Sequence, residues 1–371
     1  MIITTIITFF LVLGLIVLFH EAGHFMAARY FGVKVEEFGL GFPPRAKKLF
    51  KKGDTEYTLN WLPIGGFCKI MGEDGEDKDN PESFASRGVG QRALILSGGV
   101  IMNIILAALL FSLIFMIGMP TDVTGGIDKS KIGSFKDQKV QIASVAENSP
   151  AAEAGIMMGD AVYKIDEMEI ATVEDLQNYI NGRRGEEISV YLLRGKEEIT
   201  KKITPRENPP ENEGSIGVVL AETALVSYPI HQAIWKGIVY TGEITVFIIT
   251  AFAGIIWSLL TVGKAGVEVS GPVGIAVLTG QVSAMGLIYL LNFTALISVN
   301  LAIINALPFP ALDGGRLLFL AVEKIKGSPV NQNFEAKVNN YGFMLLILLM
   351  LVVTFYDVGK YGIWEKISSF F

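Results

Sequence analysis

The chain has 371 residues, of which 51% are hydrophobic and 18% are charged; the mean hydropathy is +0.45 and the formal net charge is −6. Charged residues make up about a quarter of an ordinary soluble protein, so this composition indicates several membrane segments. The acidic balance lacks the basic patch typical of nucleic-acid binding. A single cysteine, Cys68, excludes an internal disulfide and a Cys-x-x-Cys metal site.

The first apolar run extends from Met1 to Phe19 and can cross a membrane if it continues to Tyr30. A secretory signal peptide would begin with basic residues, which this run lacks. The polar residues His20 and Glu21 also follow the apolar run directly. We therefore predict a retained helix.

The segment His20-Glu21-Ala22-Gly23-His24 fits the pattern His-Glu-x-x-His. On a helix, positions i and i+4 share one face, so both imidazoles can reach one metal ion with Glu21 beside it as a general base. Ionisable groups at the end of an apolar helix are costly and usually functional. The alternative is a polar pair that bonds to neighbouring helices.

Further apolar runs cover residues 93–119, 233–262, 285–320 and 341–356. The loop after the first run is rich in basic residues, which places it in the cytoplasm; these are Arg29, Lys34, Arg45, Lys47, Lys48, Lys51, Lys52, Lys69, Arg87 and Arg92. The N-terminus and the segment 120–228 are then predicted to lie outside. The short loop that carries Lys324, Lys326 and Lys337 is predicted to lie inside.

The segment 120–228 is charged and about one domain long. Short alternating runs predict strands over Val140–Val145, Gly159–Asp166, Ile188–Leu193 and Ile199–Ile203, with a helix over Val173–Ile180. Their order, with Ser149-Pro150-Ala151-Ala152 before Gly155, resembles a PDZ domain. Such domains bind an extended peptide by strand addition. The alternative is a packing domain without a ligand.

A catalytic zinc usually has three protein ligands and one open position, so a third ligand must lie elsewhere. His231 is a poor candidate, because it begins a segment on the outer side. The acids in apolar surroundings are Glu243, Glu268 and Asp313, and residues 285–312 contain no charged residue at all. Asp313 is therefore the strongest candidate.

Pro308 and Pro310 precede Asp313 and break the helix there. Irregular backbone at membrane depth is tolerated beside a water-filled cavity. Asn300 and Asn305 lie on the same segment, and either amide can bond a substrate backbone or the developing oxyanion. For each, the alternative is a bond between helices.

The depth of the three ligands constrains the topology. Because His20 and His24 lie toward the cytoplasmic end of the first span, Asp313 must lie at a similar depth. A single crossing by 233–262 would place Asp313 at the opposite face. We therefore predict that 229–284 is an interfacial or re-entrant segment. A double crossing by this segment would also leave Asp313 at the same membrane face as the histidines.

Together these residues resemble the site-2 protease family of intramembrane metalloproteases, in its bacterial PDZ-containing branch, over essentially the whole chain. The strongest marks are His20-Glu21-x-x-His24 and Asn305-x-x-Pro308-x-Pro310-x-Leu312-Asp313-Gly314. The resemblance implies that His20, His24 and Asp313 bind Zn²⁺ and that Glu21 is catalytic. It also implies that substrate is contacted by Asn305 and Asn300, within the segment that carries Pro308 and Pro310.

Other matches are shorter. Glu37–Phe42 and Pro63–Phe67 look like the family's membrane-entering β-hairpin region, where Gly41 is expected to contact an unwound substrate. Ser97-Gly98-Gly99 with Asn103 is similar to a Gly-Pro…Asn pattern, with Gly99 in place of Pro. Ser270-Gly271-Pro272-Val273-Gly274 also matches.

The resemblance implies a polytopic α-helical membrane protein, with about four transmembrane helices, a membrane-entering β-hairpin region and an inserted α+β PDZ domain. Residues 1–119 would hold the first two helices and the hairpin loop. Residues 120–228 would hold the extracytoplasmic PDZ domain, at about 139–205. Residues 229–284 would be interfacial or re-entrant, and 285–371 would hold the last two helices with the Leu-Asp-Gly-Gly motif.

The implied activity is zinc-dependent hydrolysis of peptide bonds in or near the membrane segments of single-pass proteins, such as anti-sigma factors or remnant signal peptides. The implied location is the bacterial inner membrane, with the active site near the cytoplasm. Expected partners are such substrates, a peptide or C-terminus on the PDZ domain, and lipid, but not nucleic acid. A PDZ scaffold with a dead metal site would predict loss of Glu21 or Asp313. A transporter would fit broken helices and buried acids but not His-Glu-x-x-His.

Overall fold

A computed structural model of the chain describes residues 2–124, 134–195, 197–210, 213–263 and 270–360. The chain divides into two compact units. The first comprises residues 1–109, 239–280 and 294–371, and it contains the three predicted zinc ligands. The second comprises residues 110–238 and 281–293, and it contains the sheet-rich segment.

Long apolar helices dominate the chain. Five helices in the described residues are long and apolar enough to cross a membrane: α1 (Ile2–Tyr30), α3 (Gly98–Ile117), α6 (Ile230–Val262), α8 (Leu287–Ala306) and α10 (Gln332–Lys360). Shorter helices are α2 (Val89–Leu96), α7 (Pro272–Met285) and α9 (Asp313–Lys326). Helix α1 ends before Gly32, whose φ of +69° is a left-handed conformation that glycine adopts without strain. The chain is therefore a multi-pass membrane protein.

Two of these helices refine the predicted spans. The apolar run 285–320 divides into α8 and α9, because Pro308 and Pro310 interrupt it as predicted. The run 233–262 lies within α6, one unbroken helix of 33 residues. A re-entrant turn or a double crossing inside this run needs a chain reversal, so neither fits the observed helix. An interfacial placement is compatible with it.

The loop after α1 forms an antiparallel hairpin of strands β1 (Val35–Lys52) and β2 (Thr55–Ile70). Gly53 at its turn has a φ of +59°. Trp61 is 71% exposed and Leu62 is 51% exposed. Apolar side chains of this size are suited to contact with lipid rather than water.

The second unit is built on an antiparallel sheet, whose strands in the described residues are β3 (Met119–Asp122), β4 (Ser134–Val145), β5 (Ala161–Ile165), β6 (Met168–Glu169), β7 (Ile188–Arg194), β8 (Glu197–Ile203) and β9 (Val218–Ser227). Their order is β3-β9-β4-β5-β7-β8, with β6 on β5. Helices α4 (Pro150–Glu153) and α5 (Val173–Gly182) complete the unit. Its core includes Ile142, Ile165, Leu176 and Leu192, all fully buried.

The observed strands extend the predicted ones. All four predicted strands and the predicted helix are present with shifted ends, but the sheet continues beyond 139–205. Strand β9 lies outside that range and yet pairs with β4 over its whole length, while β3 pairs with its other edge. These pairings join residues 73 to 107 positions apart in the sequence, so local periodicity does not reveal them.

Candidate active site

Helix α1 presents His20 and His24 one turn apart on the same face. Their Nε2 atoms lie 3.3 Å apart. Oδ2 of Asp313 lies 3.2 Å from Nε2 of His20 and 3.4 Å from Nε2 of His24. One ligand atom from each residue falls within 4.8 Å of the others, and the described part of the chain contains no other group of His, Cys, Asp and Glu with this spacing. The structure thus brings together three residues from opposite ends of the sequence.

The turn between α8 and α9 positions Asp313. Ala311 has a φ of +73°, a strained conformation for a residue with a side chain, and its N–H donates to Oδ1 of Asn339 at 3.2 Å. Gly314 and Gly315 follow Asp313; a Cβ on Gly314 would lie 2.2 Å from the Leu307 carbonyl oxygen. The two glycines therefore let the start of α9 pack directly on the end of α8.

Space for an ion depends on Gly99, at the start of α3. A Cβ on Gly99 would lie 2.5 Å from Nε2 of His24 and 2.6 Å from Nε2 of His20. Helices α1 and α3 touch through backbone at this point, since a Cβ on Gly23 would lie 2.1 Å from the Gly98 carbonyl oxygen. The absence of a side chain at Gly99 keeps the space in front of both ligand nitrogens open.

The donor set suits zinc. Two imidazole nitrogens and one carboxylate oxygen are the ligands of many catalytic zinc sites, which keep a fourth position open. Oδ2 of Asp313 is buried, and no described residue gives it a hydrogen bond. Its close polar neighbours are the Nε2 atoms of His20 and His24, which is the arrangement expected of three ligands that share one metal ion.

The outer nitrogens of both imidazoles are also engaged. Nδ1 of His24 lies 3.0 Å from the Ile95 carbonyl oxygen, and Nδ1 of His20 lies 3.3 Å from the side-chain amide of Asn103. A carbonyl oxygen only accepts, so His24 donates from Nδ1 and its Nε2 is left for a metal. Metal-binding histidines are commonly oriented in this way.

Glu21 lies between the two histidines in sequence and close to strand β2 in space. A Cβ on Gly66 of β2 would lie 3.5 Å from Cγ of Glu21 and 3.4 Å from Cγ1 of Val17. Glu21 also interacts electrostatically with His24, His20 and Asp313. Gly66 therefore allows the backbone of the hairpin to approach the predicted general base closely.

The other sequence candidates have different surroundings. Glu243 and His231 are exposed on α6, and neither belongs to the three-residue cluster. Glu268 lies outside the described residues. Asn300 donates from Nδ2 to the Leu296 carbonyl oxygen of its own helix at 2.9 Å. Asn305 is half-buried and makes no side-chain hydrogen bond with any described residue.

Three predicted substrate contacts lie in irregular or strained backbone. Pro308 is exposed, whereas Pro310 packs against Gly342, where a Cβ would lie 2.5 Å from the proline Cβ. Gly41 has a φ of +80°, and its carbonyl oxygen accepts from Nδ2 of Asn60 at 3.0 Å. Substrate contact by these residues stays a prediction.

Sequence reasoning did not identify the roles of Gly99, Asn103, Gly66 and the Ile95 carbonyl. In the sequence, Gly99 and Asn103 stand out only as part of a pattern similar to Gly-Pro…Asn. Their signal in the sequence is the Gly98-Gly99 pair at the start of an apolar helix, which indicates close approach of another backbone. Which helix approaches can only be read from the structure.

In the second unit, one edge of β9 is partly covered by the chain itself. Strand β3 pairs with Thr223–Val226, and the Val123 N–H donates to the Glu222 carbonyl oxygen at 2.7 Å. The N–H of Val173, at the start of α5, donates to Oε1 of Glu222 at 3.0 Å. The stretch Val218–Ala221 of the same edge has no strand paired to it among the described residues.

The sequence is similar to several known proteins over most of its length. The sequence pattern of Peptidase family M50 matches residues 8–349. A Clostridium perfringens protein with a zinc metalloprotease name is 36% identical over 92% of this chain and 95% of its own length. Zinc metalloprotease RasP of Geobacillus kaustophilus is 30% identical, covering 96% of this chain and 98% of its own. Regulator of sigma-W protease RasP of Bacillus subtilis is 29% identical, covering 97% and 99%.

Among solved structures, the PDZ domain of the SdrC-like protein from Listeria monocytogenes is similar to part of the chain. It is 22% identical, with a TM-score of 0.21, and the match covers 23% of this chain and 90% of that domain.

Proposed function

Because this chain belongs to Peptidase family M50, the site-2 protease family of zinc metalloendopeptidases, we propose that it hydrolyses peptide bonds in or near the membrane segments of single-pass proteins. The observation that carries the proposal is the convergence of His20, His24 and Asp313 within 4.8 Å. The two histidines lie on α1, which is long and apolar enough to cross a membrane, and Asp313 begins α9 after the candidate span α8. His20 is ten residues from the end of α1, about 15 Å at 1.5 Å per residue.

Each residue of the site has a separate task in this proposal. His20, His24 and Asp313 hold Zn²⁺, which when bound acidifies a water and polarises the peptide carbonyl. Glu21 would accept a proton from the attacking water as the water oxygen bonds to the carbonyl carbon, and would donate it to the leaving amine as the C–N bond breaks. Asn305 and Asn300 bind the substrate backbone or the oxyanion. The side chain of Asn305 makes no hydrogen bond with any described residue and is available for this role.

The substrate must be extended before it is cut, because a helix hides its peptide bonds. The hairpin supports this step: its backbone approaches Glu21 at Gly66, and Gly41 lies in the partner strand. We propose that an unwound substrate lies along the hairpin as an added strand. The Bacillus subtilis relative is named as a regulator of sigma-W, which supports anti-sigma factors as one substrate class; remnant signal peptides are another.

For orientation, we propose that α1 runs from the outside to the cytoplasm, with the basic loop inside and the second unit outside. Since the turn after α8 delivers Asp313 to the histidines of α1, α8 runs in the same direction as α1. The chain between α3 and α8 then crosses the membrane an even number of times. We propose that it does not cross at all and that α6 lies at the outer interface.

Contacts of α7 support this topology. The Gly274 N–H donates to Oδ2 of Asp357, near the end of α10, at 2.7 Å. A Cβ on Gly280 would lie 2.6 Å from Oγ1 of Thr5, near the start of α1. Both helix ends are outer ends in this topology. If α6 crossed inward, its last residue and the first residue of α7, ten positions later, would lie on opposite sides of about 30 Å of hydrocarbon.

Labelling of single cysteines tests the orientation. In a Cys68→Ser background, an impermeant maleimide applied from outside should label Lys202→Cys of β8 and Thr261→Cys at the end of α6. Lys51→Cys in the hairpin should react only after permeabilisation. Labelling of Thr261→Cys only from the cytoplasm would show that α6 crosses the membrane and would contradict the topology.

Metal removal tests the activity. The full chain in detergent, incubated with a single-pass substrate, should cleave it; a chelator should abolish cleavage, and Zn²⁺ added after dialysis should restore it. The alternative function is a membrane-anchored PDZ scaffold, in which a peptide C-terminus adds to Val218–Ala221 of β9. A scaffold would bind the substrate to the same extent with and without zinc and would never cut it.

A further inference from the structure

Asn103 is a polar side chain in the interior of an apolar helix and is fully buried. Its side-chain Nδ2 lies 3.3 Å from Nδ1 of His20. Its Oδ1 is buried and receives no hydrogen bond from any described residue. An unpaired buried polar atom destabilises the folded chain, so apolar packing alone does not account for an asparagine here.

The two ends of the Asn103 amide have opposite effects on His20. If Nδ2 faces the ring, Nδ1 accepts and the ring proton sits on Nε2, the atom that faces Asp313 and His24. If Oδ1 faces the ring, Nδ1 donates and Nε2 is free to bind a metal. A half-turn of the amide exchanges its nitrogen and oxygen, and a ring that binds zinc through Nε2 must carry its proton on Nδ1. A zinc site therefore requires the second orientation.

We propose that Asn103 is a positioning residue whose Oδ1 accepts the Nδ1 proton of His20 and so fixes the ring in its zinc-binding form. The Ile95 carbonyl does the same for His24 at 3.0 Å. Helix α3 and the residues just before it would thus orient both histidines of α1. The proposal rests on the proposed zinc site.

The backbone of Asn103 is held independently of its side chain. Oγ of Ser298, on α8, donates to the Asn103 carbonyl oxygen at 2.8 Å, and both residues are fully buried. This bond joins α3 to α8 and fixes the height of Asn103 against the site. It also supplies a matched control, because Ser298→Ala removes a buried bond next to Asn103 and leaves the amide in place.

Zinc affinity, measured by competition with a chromogenic chelator, tests the proposal without reference to cleavage. Asn103→Leu should lower the affinity by about 10–100-fold, the usual cost of losing such a partner. Asn103→Asp keeps an acceptor at the same place and should stay within a few-fold of the unmodified chain. Ser298→Ala should also stay near the unmodified value.

Two results would overturn the proposal: Asn103→Leu binding zinc as tightly as the unmodified chain, or Asn103→Asp binding it as weakly as Asn103→Leu. If the Asn103 variants do not fold, nitrogen NMR of the zinc-loaded His231→Gln chain, whose only histidines are His20 and His24, decides. Both rings should carry the proton on Nδ1; a proton on Nε2 of His20 would refute the inference. Failure of the zinc site itself would appear differently, as no zinc on the unmodified chain.

Discussion

Replacing Glu21 with glutamine is expected to reduce substrate cleavage by about 10²–10⁴-fold, the usual contribution of a general base, while leaving bound zinc unchanged. The amide keeps the shape of the side chain next to Gly66 but cannot take a proton from water. Glu21 is not one of the three converging ligands, so the metal should remain. Cleavage rate and zinc content are measured on the same preparation.

The matched control is Glu243→Gln, which makes the same chemical change at an exposed acid on α6. It should retain both zinc and cleavage. If Glu21→Gln cleaves at the unmodified rate, another group accepts the proton, and the role given to Glu21 is wrong. If it loses zinc as well, Glu21 is part of the ligand set rather than the base.

Replacing Gly99 with alanine is expected to lower zinc affinity by about tenfold or more. The added Cβ would lie 2.5 Å from Nε2 of His24, far inside contact distance. Overpacking a rigid site usually costs about 1–3 kcal/mol, and 1.4 kcal/mol is a factor of about ten in affinity. The zinc content of the purified variant after dialysis against a weak chelator reports the change.

Gly90→Ala is the control for this substitution, because a Cβ on Gly90 meets nothing within 4 Å. It is also a helix residue, in α2, where alanine is favourable. Gly90→Ala should bind zinc like the unmodified chain. Full zinc occupancy in Gly99→Ala would mean that the ion does not occupy the space in front of the two Nε2 atoms.

The convergence of the three predicted ligands could be anticipated from the sequence. The i, i+4 spacing places His20 and His24 on one face of α1, and Asp313 is the acid that ends a long uncharged segment after two prolines. The irregular turn between α8 and α9 also follows from Pro308 and Pro310. Each of these inferences needs only local rules of helix geometry and the cost of charge in a membrane.

Other features depend on contacts between distant segments. Gly99 and Asn103 act on His20 from about 80 residues away, through a crossing of α1 and α3 that no local pattern specifies. Strand β9 joins the sheet between β3 and β4, outside the predicted domain boundary. His24 is oriented by the backbone carbonyl of Ile95. Because every residue has such a carbonyl, the residue type at position 95 does not indicate this contact.

The central claim is that water, directed by the zinc site and Glu21, cuts a peptide bond inside an apolar segment. It is tested most directly by mass spectrometry of the products after incubation of the full chain with a single-pass substrate in oxygen-18 water. We predict a new C-terminus within or beside the membrane segment that carries one oxygen-18 atom, and no such product from Glu21→Gln. Cleavage only in the soluble part of the substrate, or an identical product from Glu21→Gln, would contradict the account.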